Sequence, residues 1–265
     1  MMIFGRDNHR NWVQDMDPVF MDGTFTLAPP LLSQVFVILA KRAEYVFPVM
    51  YALLPNKRQE TYDNLFGLIK TIRPLFNPTS ISLDFEMAVV NSVQQAFPRA
   101  DLHGCLFQLT KSMRCELSET GFLQRCNVEP RFAHHSRMIV GLAFVPIDNL
   151  DDTFDALSNQ LANELMPILN WLEDMYIGRP WRINRRSCPA LFPPETWNVY
   201  QRTISGLDRT NNHAEAAYWR LKRELDVVHP SIWKFIDGLC RVQKTSHMSN
   251  TFEVNLYQWK DENMY

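Results

Sequence analysis

The chain has 265 residues, 46% hydrophobic and 21% charged, with a formal net charge of −2; this balance fits a folded domain with a real core and excludes a disordered or fibrous chain. Near-neutral charge also excludes a protein that grips nucleic acid through its overall field, so such a partner would be held by local basic patches. No apolar run has membrane-span length, no signal-peptide apolar region opens the chain, and the five cysteines (105, 115, 126, 188 and 240) contain no C-x-x-C pair, which points to a reduced intracellular compartment and no disulfide framework.

Residues 1–16 are polar and read as a lead-in. Residues 20–25 predict a strand entering a glycine turn. The run Val35-Phe36-Val37-Ile38-Leu39-Ala40 predicts a buried strand, and residues 46–54, closed by Pro55-Asn56, predict a third. Glu44 and Tyr45 stand at the hairpin between them. Tyr62, Leu65, Phe66, Ile69 and Ile72 recur at helical spacing before Pro74 and Pro78. Residues 80–84 predict a fourth strand. Phe85, Ala88, Val89, Ser92, Val93 and Ala96 mark a helix stopped by Pro98, residues 102–107 a fifth strand, and residues 109–124 a further helix. Strands alternating with helices after three helix-free strands predict an α/β fold: a mixed sheet flanked by helices, with the first three strands antiparallel neighbours. Between 127 and 208 the strand signal disappears. Residues 154–172 predict one helix of good length, and 178–194 an Arg- and Pro-rich connector. A last helix starts near Asn212, with Leu221 and Leu225 on one side. The organisation read from the sequence is a lead-in (1–16), a core (17–126), a helical insertion with connector (127–208), a closing helical segment (209–247) and a tail (248–265).

Three acids stand out: Asp22 in Met21-Asp22-Gly23-Thr24-Phe25, Asp84 in Ser82-Leu83-Asp84-Phe85-Glu86, and Glu215 in Asn211-Asn212-His213-Ala214-Glu215. Two lie where strands end and one a turn into a helix. Converging carboxylates repel and call for a hard cation such as Mg²⁺ or Mn²⁺. Each also has an ordinary structural use. Asp22 can serve a turn, Asp84 can cap the following helix, and Glu215 has capping-box spacing from Asn212. Asp17, Glu86 and Asp101 are equally available on spacing alone.

The blocks around these acids carry a resemblance. Met21-Asp22-Gly23-Thr24-Phe25, Ala28-Pro29, Gln34-Val35-Phe36-Val37-Ile38 and residues 48–57 are similar to the MULE domain of Mutator-like element transposases. So are residues 82–88, Phe97-Pro98 and Gly104-Cys105-Leu106-Phe107, and the closing segment resembles Arg209–Glu215 with His229-Pro230-Ser231-Ile232-Trp233. The resemblance implies a ribonuclease-H-like fold with an all-helical insertion before the last acid, and a DDE transposase with Asp22, Asp84 and Glu215 as catalytic, metal-holding residues. It implies two Mg²⁺ (or Mn²⁺) ions, one activating the attacking hydroxyl and one stabilising the leaving oxygen. It also implies DNA as partner (transposon ends and target), a nuclear location, self-association and no membrane. Two departures stand out. The family's Cys-x-x-His is absent, because Cys105 is followed by Gln108, and nothing before Asp22 resembles the zinc-binding module of longer members, so no zinc site is expected. The alternative reading is a truncated or domesticated derivative that binds DNA or protein without cutting; a third is a non-transposing nuclease of the same fold.

For DNA contacts, Arg179, Arg182, Arg185 and Arg186 around Trp181 form the densest basic cluster, against the plain reading of a solvated connector. Lys222 and Arg223 share the last helix with Glu215 and Trp219, and either hold a phosphate or are simply exposed. Cys105, His103 and the pair His134-His135 read as structural or surface residues.

Overall fold

Apolar runs joined by short polar links pair with their neighbours in sequence, and the first part of the chain does so. The computed structural model describes residues 1–43, 45–179 and 188–245. Its strands are β1 (Met2–Gly5), β2 (Val19–Thr24), β3 (Gln34–Arg42), β4 (Tyr45–Leu54), β5 (Ser80–Leu83) and β6 (Asp101–Gly104). They form one six-stranded sheet in the order β1-β4-β3-β2-β5-β6. β2, β3 and β4 are antiparallel neighbours, as their short links demand, and β1 pairs antiparallel with the far side of β4. Residues 2–5 are thus an edge strand where the sequence suggests a lead-in: Ile3 and Phe4 are buried, but four residues are too few to show a period. After β4 the chain crosses through helix α1 (Gln59–Ile72), and β5 then pairs parallel with β2. Helix α2 (Met87–Ala96) follows β5 and packs on α1, whose buried positions Tyr62, Leu65, Phe66 and Ile69 are those of the periodic pattern. The fold is mixed α/β, with a mixed sheet flanked by helices.

By its contacts the chain divides into two compact units, Met1–Asp101 with the segment from Asn211, and Leu102–Thr210. The second thus starts well before residue 127, where the sequence suggests the insertion. In the first unit, one sheet face buries Phe20, Val35, Val37, Leu39, Tyr51 and Leu53 against helices α10 (Asn212–Leu225) and α11 (Ile232–Thr245), which contribute Ala214, Leu221, Leu225, Phe235 and Leu239. Alternation along the strands fixes this face. On the other face Phe36 meets Tyr62, with ring centroids 5.6 Å apart.

The second unit is helical: α3 (Leu106–Glu119), α4 (Leu123–Val128), α5 (Pro130–Gly141), α6 (Leu150–Gln160), α7 (Met166–Leu172), α8 (Pro194–Trp197) and α9 (Tyr200–Ile204). The strand expected over 102–107 stops at Gly104, and α3 starts at Leu106. The single helix expected over 154–172 is two helices. Leu161 and Ala162 are extended, with ψ of 152° and 134°, and Pro167 opens the second, where its missing N–H costs nothing. Inside this unit the buried Arg202 guanidinium donates to the Gly104 carbonyl at 3.1 Å, and burial lowers its pKa to about 10. Trp197 donates its indole N–H to the Tyr176 carbonyl at 2.5 Å. Among the described residues no helix is long and apolar enough to cross a membrane.

The α10–α11 contact turns on Gly238. A Cβ added there would meet Leu225 Cδ2 at 2.5 Å and Cγ at 3.1 Å. Alanine gains about 1 kcal/mol of helix propensity over glycine, but overpacking a core costs about 1–3 kcal/mol. Gly238→Ala is therefore expected to lower stability in urea titrations, and its combination with Leu225→Ala to lose less than the sum of the two single losses in a double-mutant cycle.

Candidate active site

Parallel strands bring their C-terminal ends to the same edge, and β2 and β5 do this with acids. Val19 pairs with Ile81 and Phe20 with Ser82. Continuing that register by two residues brings Asp84 level with Asp22, on one face of the sheet. Asp22 stands opposite Val37 of β3, in the row of residues covered by α10 and α11. Both carboxylates are half-buried. The Gly23 amide donates to Asp22 Oδ1 at 2.6 Å. Even so, the Asp22 pKa is pushed up to about 8, first by burial, then by the charge of Asp84 and a hydrogen bond with it, with a smaller push from Glu215. Two carboxylates this close do not both ionise without a counter-charge.

Neither aspartate serves the structural role open to it. β5 ends at Leu83, and α2 starts at Met87 with Glu86, not Asp84, at its N-cap position. Other acids are consumed by the fold. Asp17 accepts the Ser80 amide at 2.9 Å and the Thr79 hydroxyl, tying the segment before β2 to the start of β5. Glu86 takes Lys57 Nζ at 2.6 Å and the Tyr62 hydroxyl at 2.9 Å, and Tyr62 in turn accepts Gln34 Nε2 at 2.5 Å.

α10 carries Glu215 in its first turn, exposed. Its N-cap is Asn211, which makes no capping bond; its side-chain amide donates instead to the Met21 carbonyl at 3.0 Å. The Tyr218 hydroxyl donates to the Asp22 carbonyl at 2.6 Å and lies 3.1 Å from the Val35 carbonyl. Burial and the nearby Asp22 carboxylate hold the Tyr218 pKa well above the ordinary phenol value, so it stays a donor. His213 meets Phe20 edge-on, with centroids 4.8 Å apart. Asn211, His213 and Tyr218 thus seat the helix head over β2. The sequence shows none of these roles: the cue at Tyr218 is a helix position between Ala217 and Trp219, and its hydroxyl bond depends on tertiary packing.

Side-by-side carboxylates are hard oxygen donors. Mg²⁺ is characteristically held by one or two of them, with water and substrate phosphate completing the octahedron. Asp22 and Asp84 fit that donor set, and a bound cation would replace the proton that they otherwise retain. Among the described residues no group of three or more His, Cys, Asp or Glu is arranged to hold an ion. The acids brought together are therefore two, with Glu215 near enough to act on Asp22 through its charge.

The basic candidates divide. Arg179 is neutralised by Glu173, at 3.6 Å, and by Asp174, at 2.8 Å from Nη2. Arg182, Arg185, Arg186 and Trp181 lie outside the described residues. Lys222 and Arg223 are exposed near the C-terminal end of α10. Cys105 is buried immediately before α3, and Gln108 lies in its first turn.

Residues 18–112 match the family model of the MULE transposase domain. The matched stretch contains Asp22 and Asp84 and ends before Glu215. No curated protein matches the chain.

Two measurements probe this geometry. The folded state holds Asp22 protonated to about pH 8, while an unfolded aspartate releases its proton near 3.8. The fold is thus expected to lose stability as pH rises through that window in metal-free buffer, with no such loss below it. Asp22→Asn should then melt above the parent at pH 8 in EDTA, by a few °C, with the gap closing toward about pH 4. Tyr218→Phe removes the donor to the Asp22 carbonyl, and chemical denaturation should show a loss of about 1 kcal/mol.

Proposed function

We propose that the chain is the catalytic part of a Mutator-like DDE transposase with a ribonuclease-H-like core, cutting DNA at transposon ends and joining them to target DNA. The observation that carries this reading is the β2–β5 register, which sets Asp22 beside Asp84 within the stretch that matches the MULE domain. Asp22 and Asp84 hold Mg²⁺ or Mn²⁺, and Glu215 supplies the third acid of a two-ion site. Ions bound there would supply a lowered pKa for the attacking hydroxyl and positive charge against the phosphate.

The chain's residues position and deprotonate. Asp22 and Asp84 would hold the cation against the scissile phosphate, and their half-buried position limits competition by bulk water. Tyr218 and Asn211 fix the β2 backbone, so that Asp22 does not turn away as charge is neutralised. In cleavage, a water oxygen bonds to phosphorus as the bond to the 3′-oxygen breaks, leaving a 3′-hydroxyl. In strand transfer, that hydroxyl attacks a target phosphorus and expels a target 3′-oxygen, so the number of phosphodiester bonds is conserved. Lys222 and Arg223 contact the phosphate backbone, and the protein works in the nucleus as a multimer on paired ends.

A second reading, a derivative that binds DNA or protein without cutting, is favoured by the exposed Glu215 standing outside the aspartate pair and by Gln108 in place of the family's histidine. Labelled terminal-repeat DNA with Mg²⁺ or Mn²⁺ separates the two. Asp84→Asn is expected to keep the fold by circular dichroism and to lose cleavage by more than about a hundredfold, beyond the cost of removing an outer partner of a metal ligand. Undiminished cleavage by Asp84→Asn would sink the catalytic assignment, and a parent chain that binds but never cuts would establish the second reading.

A further inference from the structure

α10 buries Ala214, Ala217, Leu221 and Leu225 against the sheet, so its opposite side faces solvent. On that side stands Trp219, 71% exposed, and with the exposed Val227 and Val228 lining the same hollow the apolar surface is a patch and not a lone ring. It follows Glu215 by one turn on the same face, about 6 Å along the axis at a rise of 1.5 Å per residue. Its flanks are concave. A hollow of about 390 Å³ on one side is lined by Lys222, Arg223, Val227 and Val228 with Asp226, and one of about 340 Å³ on the other by Ala216, Arg220 and Arg223. Arg220, Lys222 and Arg223 are exposed and make no ion pair among the described residues. Glu224, four residues after Arg220, turns instead to α11, where Arg241 Nε lies 3.6 Å from its carboxylate and Arg241 Nη2 donates to its carbonyl at 2.8 Å. Among the described residues Asp226 is the one acid lining these two hollows, against three cations.

An open indole between unpaired cations matches one ligand chemistry, a nucleic-acid strand with a base face free to stack and phosphates on either side. A base inside a duplex has both faces covered by its neighbours, so the ring selects an unpaired nucleotide. We infer that the outer face of α10 binds a strand carrying an unpaired nucleotide beside the acids, with the base stacked on Trp219 and its phosphates held by Arg220 and Arg223. This rests on the reading of the chain as a nucleic-acid enzyme. It adds a preference for frayed or flapped DNA over blunt duplex.

Fluorescence anisotropy of labelled DNA in EDTA tests this without catalysis, using the full chain, a duplex with a short unpaired flap, the blunt duplex and a single strand. Trp219→Ala is expected to weaken binding of the flapped duplex and the single strand about 5- to 100-fold while leaving the blunt duplex unchanged, and Trp219→Tyr to keep most of the parent affinity. Arg220→Ala and Arg223→Ala should each weaken every DNA and flatten the salt dependence by about one unit of slope. The inference is overturned if Trp219→Ala binds flapped DNA like the parent, if it weakens all three DNAs equally, or if it instead dissociates an oligomer in sedimentation, which would make this face a contact between copies. Failure here with intact Asp84-dependent cleavage removes only the stacking surface. Trp219-dependent binding without any cleavage removes only the catalytic reading.

Discussion

The site depends on placing two carboxyl groups next to each other in a half-buried position, where they do not both ionise without a counter-charge. Parallel pairing of β2 with β5 does this, because it carries both strand ends to one edge in step. That pairing sets demands on the rest of the first unit. The chain must leave the antiparallel run after β4, cross through α1, and enter β5 in the same direction as β2. The crossing places α1 and α2 on one face, and the opposite face, where Asp22 points, must be closed by helices from elsewhere in the chain. α10 and α11 close it, and the head of α10 is bonded to the β2 carbonyls at Met21 and Asp22.

Acids are common near these strand ends, and what separates the candidates is what the fold does for each. Asp17 is paired with Thr79 and the Ser80 amide, and Glu86 with Lys57 and Tyr62. Their charges are answered by neighbours, and their loss would be felt as stability. Asp22 is instead pushed toward its neutral form by burial and by Asp84 beside it, so a proton is held where the two meet. A carboxyl shifted this far by burial and by a like neighbour is a usual mark of a functional site. Arg179 shows the converse: it belonged to the most basic stretch of the sequence, but two carboxylates already occupy it.

How legible all this was in the sequence follows the range of the forces involved. β3 and β4 were plain because both faces of their runs are buried, and α1 because its buried stripe recurs every third or fourth residue. The acids were visible as candidates through their place at strand ends, and the neighbouring strands were inferable from the order of elements. Register was not, since it is set by many weak contacts across the sheet. β1 was missed because four residues carry no period, and the break at Leu161-Ala162 because an apolar pattern continues through it. The seating of α10 was hidden for another reason. The capping-box spacing falls on Asn212, and nothing in the sequence singles out Asn211 or Tyr218 until β2 is brought beneath them.

The first unit is discontinuous in sequence, Met1–Asp101 resuming only at Asn211, and this sets an order of events during synthesis. When residues 1–101 have left the ribosome, the strands of the meander can pair, yet the face bearing Phe20, Val37, Leu39 and Tyr51 has no cover. The segment 102–210 must emerge before α10 and α11 arrive. Until then the nascent chain displays a bare apolar sheet, the kind of surface that chaperones shield and that aggregates at high concentration. Glu215 is delivered by the same late segment. Acquisition of the third acid is therefore coupled to completion of the core, and a chain terminated early would lack both.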